Sequence, residues 1–529
     1  MRLLFLIPLF CGVAAAQLRI TTTSVPVATQ YQSYSPVSLI ATGGTPPYTW
    51  SVPISGGVSL PEGMILNPST GAVSASEVYG QGGYAVTVQV TDSAKPAANT
   101  ATATINFGVM SEGSFGGCQM FPVDSIYNQR VDALPVDTDP SHQIPSGLLG
   151  SKIHPDFGHG FYPVPGGIPV LRVPSNAPLT NVVLSSDGQI DPAGTYYWPI
   201  PPYPNAVIEE TNYGVDGDDH HTLIIQSSVP NVTGPQTGPC TLYETYQDTA
   251  VPTMFNASTN TWTEGAGVHY VLNSNVLAAS EADLDNGAQD SAGIPIAPLL
   301  VSYAEVPLGV HHPLRISLPG PTNWFVWPAT GCCNGSGPPQ GLLYRLKASV
   351  NWQATCPPSV YPQAATVLQA LQQYGAYMSD HGTAGFIQGV PDVRWDDLDL
   401  ACMKAFTLSS MEVVDNSGLQ VTDLSGQTRP YIVTQSLSNA TANAEYRAQL
   451  AAVGGDPASW RWSVSTGSLP AGLTLDSATG VISGVPASSS AGTSIFNVVL
   501  TDTAAGNDSQ AQKLTLTVAV RPAHPVTRR

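Results

Sequence analysis

The sequence is poor in charged residues, and basic residues are the scarcest among them. Only 10% of the 529 residues are charged, with 18 Lys and Arg against 37 Asp and Glu, and the formal net charge is -19. Nucleic-acid binding draws on clustered Lys and Arg, so this composition argues against a nucleic-acid partner. It also argues against a strongly acidic polymer, unless a local basic groove overrides the global field. A neutral glycan, a protein surface or a cation is easier to accommodate.

Long apolar runs are missing after the N-terminus. Arg2 precedes an apolar run over 3–13, and three alanines then lead to Gln17. This is the pattern of a secretory signal with an A-x-A-like cleavage site, because an apolar run of about a dozen residues is too short to cross a bilayer. We therefore predict a signal peptide over 1–16, no membrane insertion, and a secreted product that is extracellular or held at the cell surface.

Cysteine is confined to the centre of the chain once Cys11 has left with the signal peptide. An even number of cysteines in an exported chain favours disulfides, and no CxxC spacing points to zinc or redox chemistry. The adjacent Cys332 and Cys333 are expected to bond to two different partners. The six cysteines are Cys118, Cys240, Cys332, Cys333, Cys356 and Cys402.

The two ends of the chain repeat one succession of motifs, over 43–92 and again over 454–502. Each copy has a Gly-rich turn, a strand bearing Trp50 or Trp462, an L-P-x-G turn, a T-G-x-[VI]-S hairpin and an alternating strand ending in Thr-Asp. These motifs resemble the immunoglobulin-like (He_PIG, cadherin-like) modules of bacterial exported and surface proteins. The resemblance implies a β-sandwich at each end that acts as a spacer or docking unit. The valines at every second position of 85–91 independently predict a half-buried strand.

The motifs and the turn-rich stretches between them predict the domain organisation. The sequence from Gly113 to Gly117 opens a central domain, and the polar stretch after Val414 closes it. The predicted segments are the signal peptide 1–16, an immunoglobulin-like module 17–111, a central β-rich domain 112–414, a linker 415–428, a second immunoglobulin-like module 429–521 and a tail 522–529.

The central domain alternates short apolar strands with stretches rich in Gly, Pro or Asn. One helix stands out from about Ala364 to Asp380, where an apolar stripe runs to Met378 and Gly382 follows as a stop. We predict a mainly β protein in which two immunoglobulin-like β-sandwiches flank a central β-sandwich or jelly-roll-like domain with one packed helix.

Titratable residues concentrate at one strand entrance of the centre. Asp219 and His220 belong to the run DGDDHH, which leads directly into an apolar strand. In the next strand Glu244 and Tyr246 share a face, because side chains two apart in a strand point the same way. If these strands are neighbours, one face carries His, Glu and Tyr together.

This set suits polysaccharide cleavage by either of two mechanisms. A hydrolase needs a carboxylic acid and a second carboxylate, for which Glu244 and Asp219 are the candidate pair. A lyase needs a base, such as Tyr246 or His220, and a cation that neutralises a uronate carboxyl, for which Arg394 is the candidate. Solvated or structural roles remain the alternative for each of these side chains, because polar residues at loop–strand junctions commonly have them.

No cofactor follows from the sequence, although calcium is the ion that its acidic segments suggest. Asp92 and Asp502, at the strand ends of the two modules, could supply oxygen ligands, but solvated strand-end carboxylates are the alternative. The segments 281–290 and 392–399 are acidic without EF-hand spacing, and solvated loops are the alternative there. A transition-metal site would combine Asp218, one adjacent histidine and His311 or His312.

The central segments DHHTLIIQ, LYETY, DSAGIPIAPLLVSYAEV and GVPDVRWDDLDL resemble a family of uncharacterised exported bacterial proteins, which implies no activity. Two hypotheses follow. In the first the central domain acts on or binds extracellular polysaccharide, as a glycoside hydrolase or polysaccharide lyase. In the second the chain is a non-catalytic surface adhesion or binding protein. A polysaccharide or cell-surface glycan is the expected partner in both. Four aromatic residues could stack on sugar rings, with ordinary core packing as the alternative for each: Trp198, Tyr203, Trp324 and Trp327.

Overall fold

The computed structural model describes residues 17–520 apart from 24, 27, 30–33, 54–59, 62–63, 76–77, 79–81, 111–113, 116–117, 159–165, 186–190, 192, 203–207, 210–218, 231–237, 247–253, 278–289, 323, 332–334 and 393. The chain falls into two compact units, Met1–Ser111 and Glu112–Arg529. The predicted signal peptide and the predicted tail lie outside the described residues.

The first unit is a β-sandwich of the kind that the repeated motifs predict. Val86, Val88 and Val90 of its long central strand are completely buried, as their period of two requires. Its four-stranded sheet has the order Ala28–Thr29, Thr100–Met110, Gly82–Thr91, Thr49–Ser51. Its smaller sheets are Tyr34–Ser38, Ala72–Ala75, Ile65–Leu66 and the pair Arg19–Ile20 with Ala41–Thr42.

The C-terminal module has the same architecture and lies in the second unit together with the central domain. Its large sheet has the order Ala440–Thr441, Gln512–Ala519, Gly492–Asp502, Trp460–Gly467, with Asn507–Asp508 paired to the third strand. Its smaller sheets are Tyr446–Gln449, Val481–Gly484, Leu473–Leu475 and the pair Tyr431–Ile432 with Ala452–Val453.

The Trp and T-G motifs repeat because they pack against each other. Gly71 has φ +69°, and a Cβ added to it would lie 2.7 Å from the ring of Trp50. Gly480 has the same φ and the same 2.7 Å approach to Trp462. Only glycine combines this left-handed conformation with so close an approach, so each hairpin closes directly over its buried indole.

Three sheets build the central domain. The inner sheet has the order Val170–Val173, Thr222–Gln226, Thr241–Tyr246, Ala266–Val271. The outer sheet has the order Gly194–Trp198, Thr180–Leu184, Thr261–Glu264, Phe255–Asn256. The six-stranded sheet has the order His154–Asp156, Phe386–Gln388, Leu314–Leu318, Ala376–His381, Leu343–Leu346, Met411–Val413. A short hairpin joins Ser114–Phe115 to Cys118–Gln119.

The three sheets are layered around separate hydrophobic cores. Ile224 of the inner sheet packs with Val182 and Trp262 of the outer sheet, so these two sheets form a sandwich. The opposite face of the inner sheet, which carries Leu242, packs toward Tyr377 of the six-stranded sheet. The predicted sandwich with a packed helix is therefore present, and its inner sheet is covered on both faces.

The predicted central helix is real, but its C-terminal boundary is wrong. The helix spans Pro362–Gln373 and packs on the six-stranded sheet through buried side chains such as Leu368. Gly375, at φ +76°, follows and reverses the chain. Ala376–His381 is then a strand, so Met378 belongs to the sheet. The apolar periodicity continued past the true end of the helix because Met378, in the following strand, is buried in the same core.

The remaining helical elements are short. The other α-helices of the described residues are Trp352–Thr355 and Asp397–Leu400. The 3-10 segments are Ile126–Asn128, Ser146–Leu148, Ala297–Leu299, Tyr303–Glu305, Ala401–Ala405, Leu408–Ser410, Ser417–Leu419, Pro457–Ser459 and Ser488–Ser490. Across the described ranges, no helix is long and apolar enough to cross a membrane.

Disulfides join distant parts of the central domain, as the even cysteine count predicted. Within the described residues, Cys118 bonds to Cys240 across a separation of 122 residues, and Cys356 bonds to Cys402 across 46. Cys332 and Cys333, predicted to have different partners, lie outside the described residues.

Candidate functional site

The inner sheet brings two of the predicted residues, Glu244 and Tyr246, onto one face, together with His221, the neighbour of the predicted His220. The strands that carry them are neighbours, as the prediction required. Glu244 and Tyr246, two apart in one strand, point to the face that packs toward the six-stranded sheet. The ring of His221, just before the adjacent strand, lies 6.0 Å from that of Tyr246. A Glu, a Tyr and a His therefore meet at one end of this face.

His269 lies on the opposite face of the same sheet. Its ring centroid is 6.2 Å from that of Tyr243, and its Nδ1 lies 2.7 Å from Oδ2 of the buried Asp191. The hydrogen bond with this carboxylate raises the pKa of His269, although partial burial opposes the shift. His269 and Asp191 thus form a His–Asp pair on the face opposite to Glu244.

Glu244 holds a loop in place from the interior. It has no exposed surface, and its carboxylate accepts hydrogen bonds from the backbone N–H groups of Ile296 and Ala297 at 2.8 to 3.0 Å. Burial raises the pKa of Glu244 to about 7, although these N–H groups and the charge of Arg315 oppose the shift. These contacts are the ones expected of a positioning role.

The two adjacent histidines are both buried at the strand entrance. His220 adopts φ +44°, a conformation uncommon for a side chain of its size. Nδ1 of His221 lies 3.1 Å from the carbonyl oxygen of Thr245 and therefore carries the proton. Burial, followed by the charge of Arg315, lowers the pKa of His221 to about 4, so its ring is neutral at neutral pH. Asp219 is half exposed, with Oδ2 4.0 Å from Nε2 of His221.

Arg394 lies elsewhere on the central domain. It forms an ion pair with Asp392 at 2.5 Å, its side chain is 59% exposed, and its guanidinium stacks over the ring of Tyr303 at 4.3 Å. None of these groups belongs to the face that carries Glu244. Its role as a neutraliser of a substrate carboxyl stays a prediction.

A buried arginine, which the sequence analysis did not single out, lies where the candidate residues meet. Arg315 has no exposed surface, and its Nη2 lies 3.1 Å from Asp290 and 3.4 Å from Asp380. Its Nε donates a hydrogen bond to Ser379 Oγ at 3.1 Å. Within the described part of the chain, Nη1 of this arginine has no hydrogen-bond partner. We call Arg315, Asp290, Asp380, Asp156 and His221 the Arg315 network.

The charge of Arg315 also acts on residues at the inner sheet. The charge of Arg315 acts on His221, Glu244, Asp290 and Asp156. Burial raises the pKa of Asp290 well above its usual range, even though Arg315 opposes the shift. The buried Asp290 and the exposed Asp156 therefore both interact with the charge of Arg315.

Asp156 forms the open end of the network. It is exposed on one side, yet the protein around its other side removes enough water to raise its pKa to about 6. The negative charge of Asp380 raises this pKa further, and Arg315 opposes it. A solvent-accessible carboxyl that is partly protonated near pH 6 therefore interacts electrostatically with an ion-paired carboxylate.

The sequence contained a signal for this network. An arginine at the second position of the apolar strand Leu314–Leu318 is costly to bury unless it is paired. Asp380 ends the neighbouring strand, so the two could have been paired if the helix boundary had been placed correctly. Asp290 belongs to the acidic segment 281–290, for which calcium binding and a solvated loop were the two alternatives.

The strand-end aspartates of the two modules, Asp92 and Asp502, are buried. The alternative that they are solvated carboxylates is therefore wrong. Asp502 is completely buried and accepts hydrogen bonds from the N–H groups of Asp456 and Ala504. Asp92 is buried too and accepts from Thr45 N–H and from both nitrogens of Asn99. The hydrogen bonds to Asn99 lower the pKa of Asp92 to about 2. Both carboxylates tie their Gly-rich turn to the strand end.

The acidic segment 392–399 also makes structural contacts where solvated loops were the alternative. Asp396 caps the helix Asp397–Leu400, and Asp399 accepts from the N–H groups of Gln363 and Ala364 at the start of the long helix. Carboxylates are favourable at helix N-termini because they satisfy free N–H groups. Residues 281–289 lie outside the described residues.

The combination predicted for a transition metal is not tested as a whole, since Asp218 lies outside the described residues. Nε2 of His312 lies 3.0 Å from Oε1 of Glu305, and Nδ1 of His311 lies 3.2 Å from Tyr374 Oη. The described ranges contain no group of three or more His, Cys, Asp or Glu side chains placed to hold a metal ion.

A cleft of about 770 Å³ opens on another part of the central domain. Trp327 and Phe325 line it, together with Asp137, His142 and Asp423. Trp324, which is 40% exposed, lies beside it with its ring 5.5 Å from that of His142. Trp198 is instead buried in the sandwich core, as ordinary packing predicts, and Tyr203 lies outside the described residues.

Both ends of the chain match the family model described as "Putative Ig domain" (He_PIG), over residues 14–108 and 429–519. The two terminal modules therefore match the immunoglobulin-like model that their repeated motifs indicated. No curated protein matches the chain.

Solved structures resemble the chain only weakly. An endo-fucoidan hydrolase of glycoside hydrolase family 107 is 10% identical, with a TM-score of 0.18, and the match covers 95% of this chain but only 44% of the hydrolase. Mouse cadherin-23 repeats 22–24 give 10% identity and a TM-score of 0.17, covering 95% of this chain and 99% of that one. Protocadherin gamma B2 gives 12% identity and a TM-score of 0.15, covering 95% and 100%. Such low scores carry no argument about fold or chemistry.

Proposed function

We propose that the protein is exported and that its central domain hydrolyses an extracellular polysaccharide at the Arg315 network. The observation that carries the proposal is the placement of Asp156 and Asp380. One carboxyl is open to solvent, and the other is held by a completely buried arginine. Glycoside hydrolysis requires two such carboxyl groups in different protonation states.

The two carboxyl groups divide the chemistry between them. Asp156 is the general acid that protonates the glycosidic oxygen as the bond to the leaving sugar breaks. Asp380, ion-paired with Arg315, stabilises the positive charge that develops at the sugar carbon, and water then adds to that carbon as Asp156 takes up its proton. The raised pKa of Asp156 supports this division, because a general acid works best when its pKa lies near the working pH.

The residues inferred from the sequence act around this pair. Glu244 fixes the segment that begins at Ile296, and His221, which is neutral, orders the strand entrance through Thr245. Asp219 and Tyr246 keep partly exposed side chains at the same end of the sheet and are proposed to contact the sugar. His220, in its unusual backbone conformation, is proposed to direct this end of the chain into the site.

Elimination is less well supported than hydrolysis. A lyase needs a cation that is available to a uronate carboxyl, but Arg315 is already shared by Asp290 and Asp380. The terminal immunoglobulin-like modules suit a spacer or docking role, which holds the central domain near its polymer. Non-catalytic adhesion is the alternative to be separated by experiment.

The test is release of reducing ends by the purified mature chain from a panel of neutral and uronic polysaccharides. Both reactions yield reducing ends, but elimination also yields an unsaturated product that absorbs in the ultraviolet and hydrolysis does not. Release of reducing ends without the unsaturated product, from at least one polymer, supports the proposal. Binding without release from any polymer establishes the adhesion alternative.

A further inference from the structure

The cleft that Trp327 lines has aromatic walls of fixed orientation. Nε1 of Trp327 donates a hydrogen bond to the carbonyl oxygen of Ser425 at 2.9 Å, which holds the indole in place. Phe325 and Leu424 complete the apolar lining. Rigid aromatic faces of this kind suit the apolar faces of sugar rings. The volume of about 770 Å³ is that of a small-molecule or oligosaccharide site.

The polar lining of the cleft is acidic. Four aspartates line it, and among the described residues no Lys or Arg does. In three of them one carboxylate oxygen accepts a hydrogen bond from a residue nearby in the sequence. Oδ1 of Asp139 accepts from Ser141, Oδ1 of Asp415 accepts from Ser417, and Oδ1 of Asp423 accepts from Gln420. In the described ranges no hydrogen bond engages Oδ2 of these three side chains. Their second oxygens are therefore available to a ligand. The four aspartates are Asp137, Asp139, Asp415 and Asp423.

We propose that this cleft binds a glycan that carries free amino groups. Protonated amines complement the carboxylates, and a cation near an aromatic face gains further stabilisation. A neutral glycan would use the aromatic walls but would leave the carboxylates without a charge partner. The proposal is independent of hydrolysis at the Arg315 network, because no residue of that network lines the cleft.

The carboxylates of the cleft do not form a metal site among the described residues. The part of the chain that the structure describes contains no group of three carboxylates or histidines placed around one ion. Asp137 lies 2.6 Å from His142 at one side, and Asp423 pairs with Gln420. Four carboxylates in a cleft that aromatic side chains line instead suit a sugar ligand that carries several amines.

The experiment compares two oligomers of the same length on the full mature chain: a glucosamine hexamer, with free amines, and its N-acetylated counterpart, which is neutral. Isothermal titration at pH 6 and low salt should give at least about tenfold tighter binding of the amine form. The double variant Asp139→Asn/Asp423→Asn should reduce that preference to about threefold or less and leave binding of the neutral hexamer unchanged. Salt should weaken only the amine form.

Two further variants define the site. Trp327→Ala should weaken binding of both hexamers by about tenfold or more. The exposed Asp508→Asn, in the C-terminal module, is the matched charge control and should leave both affinities unchanged. Equal affinity for the two hexamers, no measurable binding of either, or an unchanged preference in the double aspartate variant would overturn the proposal. Because reducing-end release is measured separately, failure of this site and failure of hydrolysis give different results.

Discussion

Nη2 of Arg315 lies 3.1 Å from Oδ2 of Asp290, and both side chains are completely shielded from solvent. Removing one partner of such a pair leaves an uncompensated charge inside the protein. Arg315→Met should therefore lower the free energy of unfolding of the second unit by about 3 to 5 kcal/mol at pH 7. Urea denaturation of the full chain, followed by tryptophan fluorescence, measures this change.

The matched control for this variant is Arg394→Met. Arg394 also forms an ion pair, with Asp392, but its side chain is 59% exposed. A surface pair contributes about 0 to 1 kcal/mol, so this variant should have little effect. Equal destabilisation by the two variants would contradict the structural importance assigned to the buried pair.

The pKa of Glu244 predicts a pH dependence of stability. Its pKa is raised from about 4.5 to about 7 on folding, so the folded protein favours the protonated form. The stabilisation is complete below the unfolded pKa and is lost as the pH rises through about 7, by about 3 kcal/mol in all. Glu244→Gln can place an amide donor against the N–H of Ile296 or Ala297, so it should be less stable than wild type at pH 5. Because glutamine cannot ionise, this deficit should shrink or reverse by pH 8.

Urea denaturation at pH 5, 6, 7 and 8 tests that prediction. Other titrating groups contribute to both proteins and cancel in the difference. The exposed Glu445→Gln, in the C-terminal module, is the control and should show no pH-dependent difference from wild type. A deficit of Glu244→Gln that stays constant from pH 5 to 8 would refute the raised pKa of the buried carboxyl.

Asp502 should stabilise the C-terminal module without a metal ion. Asp502→Asn places an amide donor against the N–H of Asp456 or of Ala504, so at least one buried hydrogen bond is lost, at a cost of about 2 kcal/mol. Asp92→Asn should destabilise the first unit in the same direction. Calorimetry with and without calcium measures both effects, with Asp508→Asn as control. A rise in wild-type melting temperature with calcium that Asp502→Asn abolishes would instead identify a calcium site.

The disulfides should stabilise the central domain selectively. The two disulfides close loops of 122 and 46 residues, which lowers the conformational entropy of the unfolded chain. In the chain-entropy model this stabilises the folded state by about 5 and about 4 kcal/mol. Reduction should therefore lower the melting temperature of the second unit and leave the first unit, which carries no cysteine after Cys11, unchanged. Thiol titration of the denatured mature chain should find at most two free thiols, and a count of six would contradict the bridges.

The sequence predicted most of the β-architecture because the evidence for it is local. The valines of 85–91 and the Trp50–Gly71 motif depend on period and turn chemistry, which can be read residue by residue. The helix boundary failed at Gly375, because the strand that follows continues the same buried core. Glycine at that position was the available stop signal.

The candidate site was only partly predictable, because its residues meet through tertiary contacts. Glu244 and Tyr246 lie two apart in one strand, so their common face followed from alternation. Arg315 and Asp380 lie on neighbouring strands of the six-stranded sheet, and Asp290 reaches Arg315 from a separate segment. No local pattern specifies that contact, although an arginine inside an apolar strand indicated that a buried partner was required.

The most direct test of hydrolysis at the Arg315 network is the turnover of Asp156→Asn and Asp380→Asn on a polysaccharide that the wild type cleaves. Each variant should keep its fold and lose turnover by a factor of about 10² or more, because each removes one of the two carboxyl groups. Wild-type turnover should fall as the pH rises above about 6, where Asp156 loses its proton. The control Asp392→Asn, from the surface pair, should retain full activity. Wild-type turnover in both network variants, or no cleavage of any polymer by the wild type, would contradict the account.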